Sequence, residues 1–363
     1  MTSILFVLPV SGGSGGAHSV MQEADALRRM GVDARIATNQ DNAVRLKRTY
    51  RDLPGISAHV LGYDGDAGLG ELIVQQKPNV VVATTNRSVH NLAAALRLSE
   101  IKGQRTAYYV QDYEPFFYER DSADWLTAYT SFGLIPGMVH FAKTRWLQEI
   151  VQDNHQVQVW KVEPSIDHAV YFPDFAQRED HAGSTGAAPV LRLVAMLRPG
   201  TARRAPRRTV RIMNRIAAEM GAQVQCTTFG CTDDQLKAHS LRLASVRHIG
   251  ILEREDVGDL FRGTDLFLDL SDFQAFGRTA IEAMSCGAGA VVPAHGGTYE
   301  YAEDGRNAFI VDTRDDDAIL AAVRQFVAMN PAERREMMMR GIEAGYRYTP
   351  EKAALSEIEV LDL

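Results

Sequence analysis

Six arginines between positions 198 and 211 form a local basic cluster in a chain whose net charge is −7. They follow an apolar run, Leu191–Met196, that predicts a β-strand. Arg198 and Arg203 flank the turn after this strand, where the forked donors of two guanidinium groups suit the oxygens of two phosphates. The other interpretation is a solvated basic helix face, which we expect for three of the six: Arg207, Arg208 and Arg211.

A second segment with phosphate-binding character lies where a strand predicted to end near Leu270 gives way to a helix starting near Arg278. Backbone N–H groups at the start of a helix attract anions such as a leaving diphosphate. Here those groups belong to Phe276, Gly277, Arg278 and Thr279. Two polar side chains, Gln274 before the helix and Glu282 within it, are expected to face the same ligand.

A glycine-rich loop at positions 11–16 separates the first predicted strand from the first predicted helix. Glycine lets the backbone approach a ligand closely, so the N–H groups near Gly15 and Gly16 can meet phosphate or sugar oxygens. His18 either contacts the ligand or has a structural role. A dinucleotide fingerprint is disfavoured, because its third glycine is missing and no acidic residue ends the second strand. A flexible turn without a ligand is the remaining alternative.

Asp112 is a candidate ligand-binding residue of the first half of the chain. It follows the predicted strand Thr106–Val110 and therefore lies at the carboxyl end, where parallel sheets bind ligands. We expect Asp112 to contact a ligand, and a turn cap is the alternative. Six aromatic residues lie between positions 108 and 118 and offer faces on which a ligand ring can stack.

Length and composition predict two α/β domains. A chain of 363 residues exceeds one ordinary core, and its 45% hydrophobic and 23% charged residues are typical of globular proteins. Short apolar runs alternate with helical patterns in both halves, which indicates a doubly wound parallel sheet in each. We predict Rossmann-like domains at 1–172 and 190–345 that face a cleft, joined by a polar linker. A C-terminal helix in 346–363 is expected to pack back on the first domain.

Charge and cysteine content exclude several classes. The acidic balance argues against a nucleic-acid binder, and three cysteines make neither a disulfide framework nor a zinc site. No segment approaches the ~20 apolar residues of a membrane span. We therefore expect a cytoplasmic protein, or one peripheral to the inner face of the membrane. Three aspartates lie along a predicted strand and at its end: Asp265, Asp269 and Asp272. Their spacing is more typical of solubility and capping roles than of a metal site, so we expect no metal.

The C-terminal motifs together resemble the signature of retaining GT-B glycosyltransferases of family 4. That signature contains two glutamates separated by seven residues, and this chain has Gln274 at the first position and Glu282 at the second. The resemblance includes the glycine loop and the Arg198–Arg203 pair. It extends to Phe276–Gly287, Gly296–Glu300, Asp304–Asn307 and Pro164–Pro173. The segments Val110–Pro115 and Arg198–Arg203 look like the rhamnosyltransferase-type branch.

The resemblance implies transfer of a hexose or a deoxyhexose such as rhamnose from a UDP-, TDP- or GDP-linked donor. The acceptor would be a glycan or a lipid-linked glycan in surface polysaccharide synthesis, and Asp112 would orient its hydroxyl group or deprotonate it in part. In the family, the first glutamate holds hydroxyl groups of the donor sugar, the second holds the ribose, and residues matching Gly250–Leu252 cradle the base. Arginines and backbone amides then stabilise the diphosphate, with no metal or other cofactor.

Gln274 departs from the family pattern, because glutamine hydrogen-bonds but has no negative charge. The missing charge motivates one alternative, an inactive donor-binding scaffold of a polysaccharide assembly complex. A second alternative is a sugar-nucleotide epimerase of the same two-domain architecture.

Overall fold

The computed structural model describes residues 2–10, 12–13, 15–176 and 190–363, so most of the predicted linker lies outside the described residues. The chain forms two compact units. The first comprises Met1–Ser165 and Tyr348–Leu363, and the second comprises Ile166–Arg347.

The first unit is built on a parallel sheet of seven strands in the order β3-β2-β1-β4-β5-β6-β7. Its strands are β1 Ser3–Val7, β2 Asp33–Asn39, β3 Val60–Tyr63, β4 Val80–Ala83, β5 Arg105–Val110, β6 Val139–Ala142 and β7 Val159–Lys161. Its helices before the crossover are α1 Gly15–Arg29, α2 Gln40–Thr49, α3 Pro54–Ser57, α4 Gly65–Gln76, α5 Asn86–Leu98, α6 Ala123–Thr130 and α7 Arg145–His155. All four residues of β4 are buried, as expected for a central parallel strand covered on both faces.

The second unit repeats this design with six parallel strands in the order β10-β9-β8-β11-β12-β13. They are β8 Leu191–Met196, β9 Val224–Phe229, β10 Arg247–His248, β11 Leu266–Leu268, β12 Gly289–Pro293 and β13 Phe309–Val311. The helices are α8 Pro206–Met220, α9 Asp233–Ala238, α10 Arg254–Arg262, α11 Arg278–Ser285, α12 Asp316–Ala328 and α13 Pro331–Gly345. The prediction of two doubly wound parallel-sheet domains is confirmed.

The last helix, α14 Pro350–Leu361, belongs to the first unit and packs on α1. Thr349 caps it by accepting a hydrogen bond from the backbone N–H of Lys352. Arg29 on α1 pairs with Glu351 at 2.5 Å, and Ser356 accepts a hydrogen bond from the backbone N–H of Glu163 at 2.9 Å. In the described ranges, no helix has both the length and the apolar character required to cross a bilayer.

Candidate active site

Strand order decides which loops of the second unit lie side by side. β8 and β11 are adjacent and parallel, with Leu193 opposite Leu266 and Ala195 opposite Leu268. The order of the strands reverses here, and such a switch point is where open α/β sheets bind ligands at the carboxyl ends. The loop after β8 contains Arg198, Arg203 and Arg204 of the arginine cluster, and the loop after β11 contains Gln274. The structure therefore brings the two predicted phosphate-binding segments to one edge of one sheet.

Arg198 lines a small cavity at this edge. The cavity measures about 20 Å³, enough for one water molecule, and its lining includes Arg204, Asp269 and Thr279. Desolvation, followed by the neighbouring Arg204 guanidinium, lowers the pKa of Arg198. Guanidinium groups nevertheless stay protonated in proteins, so two like charges converge here and favour an anion between them.

Arg203 and Arg208 fix the loop after β11. The central carbon of the Arg203 guanidinium lies 5.5 Å from the centroid of the Phe273 ring. The backbone carbonyl of Arg203 accepts a hydrogen bond from the N–H of Asp272 at 2.8 Å. Arg208 donates to the carbonyl of Leu270 at 3.0 Å and to Asp272 Oδ1 at 2.8 Å. The expectation that Arg208 lies on a solvated face is therefore wrong, because its guanidinium forms hydrogen bonds that hold this loop in place.

Helix α11 begins at Arg278, as the sequence predicts. Its N-cap residue is Gly277, which has no side chain with which to cap the helix. Gly277 has a φ of +84° and its carbonyl accepts from the Tyr301 hydroxyl at 3.1 Å. The first N–H groups of the helix, which include those of Arg278 and Thr279, are therefore presented by a fixed turn. Their dipole favours an anion.

Two backbone hydrogen bonds hold Gln274 in place. Its N–H donates to the carbonyl of His295 at 3.3 Å, and its carbonyl accepts from the N–H of Gly297 at 2.7 Å. Gly296, with a φ of +107°, makes this approach possible, since a Cβ there would come under 3.0 Å from the Gln274 backbone. The side chain is also buried, at 3% exposure.

The side chain of Gln274 meets an acidic partner. Its amide nitrogen donates to Asp269 Oδ2 at 2.5 Å and to Ser271 Oγ at 3.2 Å. The Ser271 hydroxyl in turn donates to Asp269 Oδ1 at 2.6 Å. Asp269 is buried at 7% exposure, so the expectation that it serves solubility is wrong. It does cap the turn, because its Oδ1 accepts from the backbone N–H of Ser271 at 3.2 Å. Sequence spacing missed this partner, although a carboxylate at a strand end is a signal that could have found it.

Glu282 lies inside α11 and pairs with Arg278 one turn earlier, with 2.6 Å between Oε1 and Nε. Burial raises the pKa of the Glu282 carboxyl group, while Arg278 and Arg254 counteract it. Arg254 is itself paired with Asp167 at 2.7 Å. This network orients one buried carboxylate, which can accept hydrogen bonds from two hydroxyl groups. Leu252, two residues before Arg254, is half-buried in the segment after β10, the edge strand of the sheet.

In the first unit, α1 begins at Gly15 directly after the glycine loop, whose Ser11 and Ser14 lie outside the described residues. A side chain at Gly16 would collide with Gln111, which follows β5. The His18 ring meets the Tyr50 ring edge-on at 5.3 Å, so a structural role is present, and a ligand contact stays a prediction.

Asp112 follows β5, and its Oδ1 accepts a hydrogen bond from the N–H of Tyr113 at 3.0 Å. Glu114, which the sequence presented only as part of a motif, accepts from the backbone N–H of Asn86 and from the Tyr108 hydroxyl. Burial, with the nearby Asp112 as a further cause, raises the pKa of Glu114 to about 7. The Glu114 carboxyl group therefore keeps its proton at a higher pH than an exposed glutamate does.

Replacing Glu114 by glutamine is expected to flatten the pH dependence of stability. An unfolded glutamate has a pKa of about 4.3, so the folded state retains the proton over a wider range. Stability should fall as pH rises from about 4.3 to about 7, by up to ~1.4 kcal/mol per pH unit. Urea unfolding across this interval should show that slope in the wild type and a shallower one in Glu114→Gln. Glu119→Gln, an exposed change on the same loop, is the control and should keep the wild-type slope.

Two doubly wound parallel sheets with these loop positions define the GT-B fold, and comparison with known proteins agrees. Residues 200–346 match the family described as Glycosyl transferases group 1. Anabaena Alr3699/HepE in complex with UDP and glucose has a TM-score of 0.78 at 17% identity, with 100% of each chain covered. Sucrose-phosphate synthase from Thermosynechococcus elongatus has a TM-score of 0.80 at 14% identity, covering 100% of this chain and 98% of that one. This chain therefore has the GT-B fold, and its residues 200–346 are similar to a glycosyl transferase group 1 domain.

Sequence relatives match over part of their length. The O-antigen biosynthesis protein RfbC of Myxococcus xanthus is 26% identical over 287 residues, which are 75% of this chain and 20% of that protein. Mannosylfructose-phosphate synthase of Agrobacterium fabrum (strain C58) is 42% identical over 66 residues, 18% of this chain and 14% of that protein. The chain thus spans a fifth or less of the curated relatives that it matches.

Proposed function

We propose that this protein is a retaining glycosyltransferase of the family 4 type, with features of the rhamnosyltransferase-like branch. It moves a hexose or a deoxyhexose from a nucleotide-diphosphate sugar to a glycan or lipid-linked acceptor in surface polysaccharide synthesis. The observation that carries the proposal is the convergence of two loops after β8 and β11. One presents Arg198 and Arg204, and the other presents the N–H groups that begin α11. The similarity to RfbC supports the polysaccharide context.

The donor is assigned to the second unit. Arg198, Arg203 and the N–H groups of Phe276 to Thr279 bind the diphosphate, and Glu282 accepts hydrogen bonds from the ribose. Gln274 contacts the sugar, and the backbone near Leu252 holds the base. A neighbour of similar fold was solved with UDP and glucose, which supports a UDP-, TDP- or GDP-linked donor.

In the reaction, the bond between the sugar C1 and the diphosphate oxygen breaks while the acceptor oxygen bonds to C1 on the same face. The leaving diphosphate takes the proton of the acceptor hydroxyl group. Charge therefore grows on the phosphate oxygens as the sugar becomes oxocarbenium-like, and fixed donors aimed at those oxygens lower the barrier. Arginines and amides supply this stabilisation in the proposal, so that no metal is required.

The acceptor is assigned to the first unit. Asp112 orients its hydroxyl group, and the loop at Gly15 and Gly16 with His18 contributes further contacts. The carboxyl ends of β1, β4 and β5 are the ligand-binding edge of this sheet, which supports the assignment. We place the enzyme in the cytoplasm, peripheral to the inner membrane face when its acceptor is lipid-linked. The cysteines of the described residues are free thiols, in keeping with a reducing compartment.

The proposal predicts that a sugar nucleotide stabilises the wild-type protein. UDP-glucose, GDP-mannose and dTDP-rhamnose are compared by thermal shift, since a ligand of the native state raises apparent stability by RT ln(1 + [L]/Kd). At a hundredfold excess over Kd the gain is about 2.7 kcal/mol. The shift should survive EDTA. A shift that EDTA abolishes and Mg²⁺ restores would contradict metal independence, and no shift with any donor would contradict the function.

The uncharged Gln274 favours one other function, a donor-binding scaffold that does not turn over. Release of UDP, GDP or dTDP from a bound donor in the presence of an acceptor glycan separates the two. An enzyme releases the nucleotide and extends the acceptor, whereas a scaffold binds the donor and returns it unchanged.

A further inference from the structure

The hydrogen bonds around Gln274 fix the orientation of its amide group. Asp269 offers only acceptors, so the atom that faces it must be the nitrogen, Nε2. The Ser271 hydroxyl has already donated its proton to Asp269 Oδ1 and therefore accepts from the same nitrogen. Both hydrogens of the Gln274 amide are used in this way.

The side-chain carbonyl oxygen of Gln274, Oε1, is the one polar atom of the amide group that these hydrogen bonds do not use. Oε1 accepts no hydrogen bond from the residues that the structure describes. Gln274 consequently offers a ligand acceptors only, which is the hydrogen-bonding character of a carboxylate rather than of a free amide. The negative charge lies one hydrogen bond away on Asp269, which also lines the cavity beside Arg198.

We propose that Asp269 is a positioning residue that holds Gln274 in this acceptor-only orientation, and that Gln274 Oε1 then accepts hydrogen bonds from hydroxyl groups of the donor sugar. This inference rests on the proposed function. It assigns the pair Asp269–Gln274 the task that a single glutamate performs in the family that the sequence resembles.

The pairing makes a glutamate at 274 unfavourable as long as Asp269 is present. Two buried carboxylates within hydrogen-bond distance cannot both be ionised, so one must bind a proton or move away. An asparagine at 269 removes that conflict, because its amide nitrogen donates to a carboxylate at 274. The swapped pair Asp269→Asn with Gln274→Glu should therefore restore an acceptor-only group at the same place.

The experiment compares the wild type, Asp269→Asn, Gln274→Glu and the double variant. Calorimetry measures affinity for UDP-glucose, GDP-mannose and dTDP-rhamnose, and for UDP, GDP and dTDP. Each single variant should bind the nucleotide sugar about tenfold more weakly, the loss of one ordinary hydrogen bond. Affinity for the free diphosphate should stay within about twofold, since the arginines and α11 are unchanged. The double variant should recover the sugar-dependent part of the affinity.

Urea unfolding of the same four proteins at pH 8 is the second readout, and it needs no ligand. Gln274→Glu alone should be the least stable, and adding Asp269→Asn should stabilise it. Additive effects in this cycle would overturn the pairing. Equal losses for sugar nucleotides and free diphosphates would overturn the positioning role, because a purely structural defect affects both. A wild type that binds none of the six ligands would refute the proposed function itself, and the sugar contact with it.

Discussion

Replacing Arg198 by alanine is expected to weaken the binding of the cognate nucleoside diphosphate ten- to hundredfold. Arg198 lines the cavity between the loops after β8 and β11, together with Arg204 and Thr279. A hydrogen bond that involves a charged group contributes about 1.5–3 kcal/mol, and 1.4 kcal/mol corresponds to tenfold in affinity. Calorimetric titration with UDP, GDP and dTDP measures the loss. Arg203→Ala should act in the same direction.

Arg211→Ala is the matched control for the arginine cluster. Arg211 has the same charge and lies nearby on α8, but its guanidinium is exposed and pairs with Asp316 at 2.7 Å. Its removal should leave affinity unchanged, because exposed ion pairs contribute little. Equal affinities of Arg198→Ala and the wild type, with the fold intact, would contradict the phosphate assignment. Similar losses in both arginine variants would point to general electrostatic attraction instead.

Replacing Gly296 by alanine is expected to destabilise the second unit and to disturb the proposed sugar contact at Gln274. The backbone at Gly296, with a φ of +107° and a ψ of −155°, lies in a region that almost only glycine adopts, and it costs an alanine about 1–3 kcal/mol. The new Cβ would also collide with the Gln274 backbone, and such overpacking costs a further ~1–3 kcal/mol. Chemical denaturation measures the total, and calorimetry with the donor sugar nucleotide measures the effect on the site.

Gly305→Ala separates the two causes. Gly305 also has a positive φ, +67°, but an added Cβ there would meet nothing within 4 Å. The control should therefore lose only the conformational part of the free energy of unfolding and keep normal donor binding. If Gly296→Ala and Gly305→Ala lowered the free energy of unfolding equally, the contact between residues 274 and 296 would not be tightly packed.

Local patterns determined much of the fold. The buried apolar runs predicted each strand of both sheets to within a few residues. The apolar run Ile4–Val10 predicts a longer first strand, but β1 ends at Val7, since Pro9 has no N–H group to donate to the sheet. Helix α13 was not predicted. Its start has a recognisable sequence signal, because Asn330 and Glu333 form a capping box and Pro331 is the first helical residue. The helix start at Arg278 was predicted correctly because it depends on neighbouring residues alone.

The sequence by itself determined the two α/β units, the position of the arginine cluster and the helix that follows Gln274. These depend on hydrophobic periodicity and on residues close in the chain. Only the tertiary structure decided that the loops after β8 and β11 are neighbours, since strand order is set by contacts between distant segments. It also decided that Arg208 pins a loop and that Asp269 partners Gln274. A polar side chain's role depends on which buried group it meets, and spacing along the chain does not specify that partner.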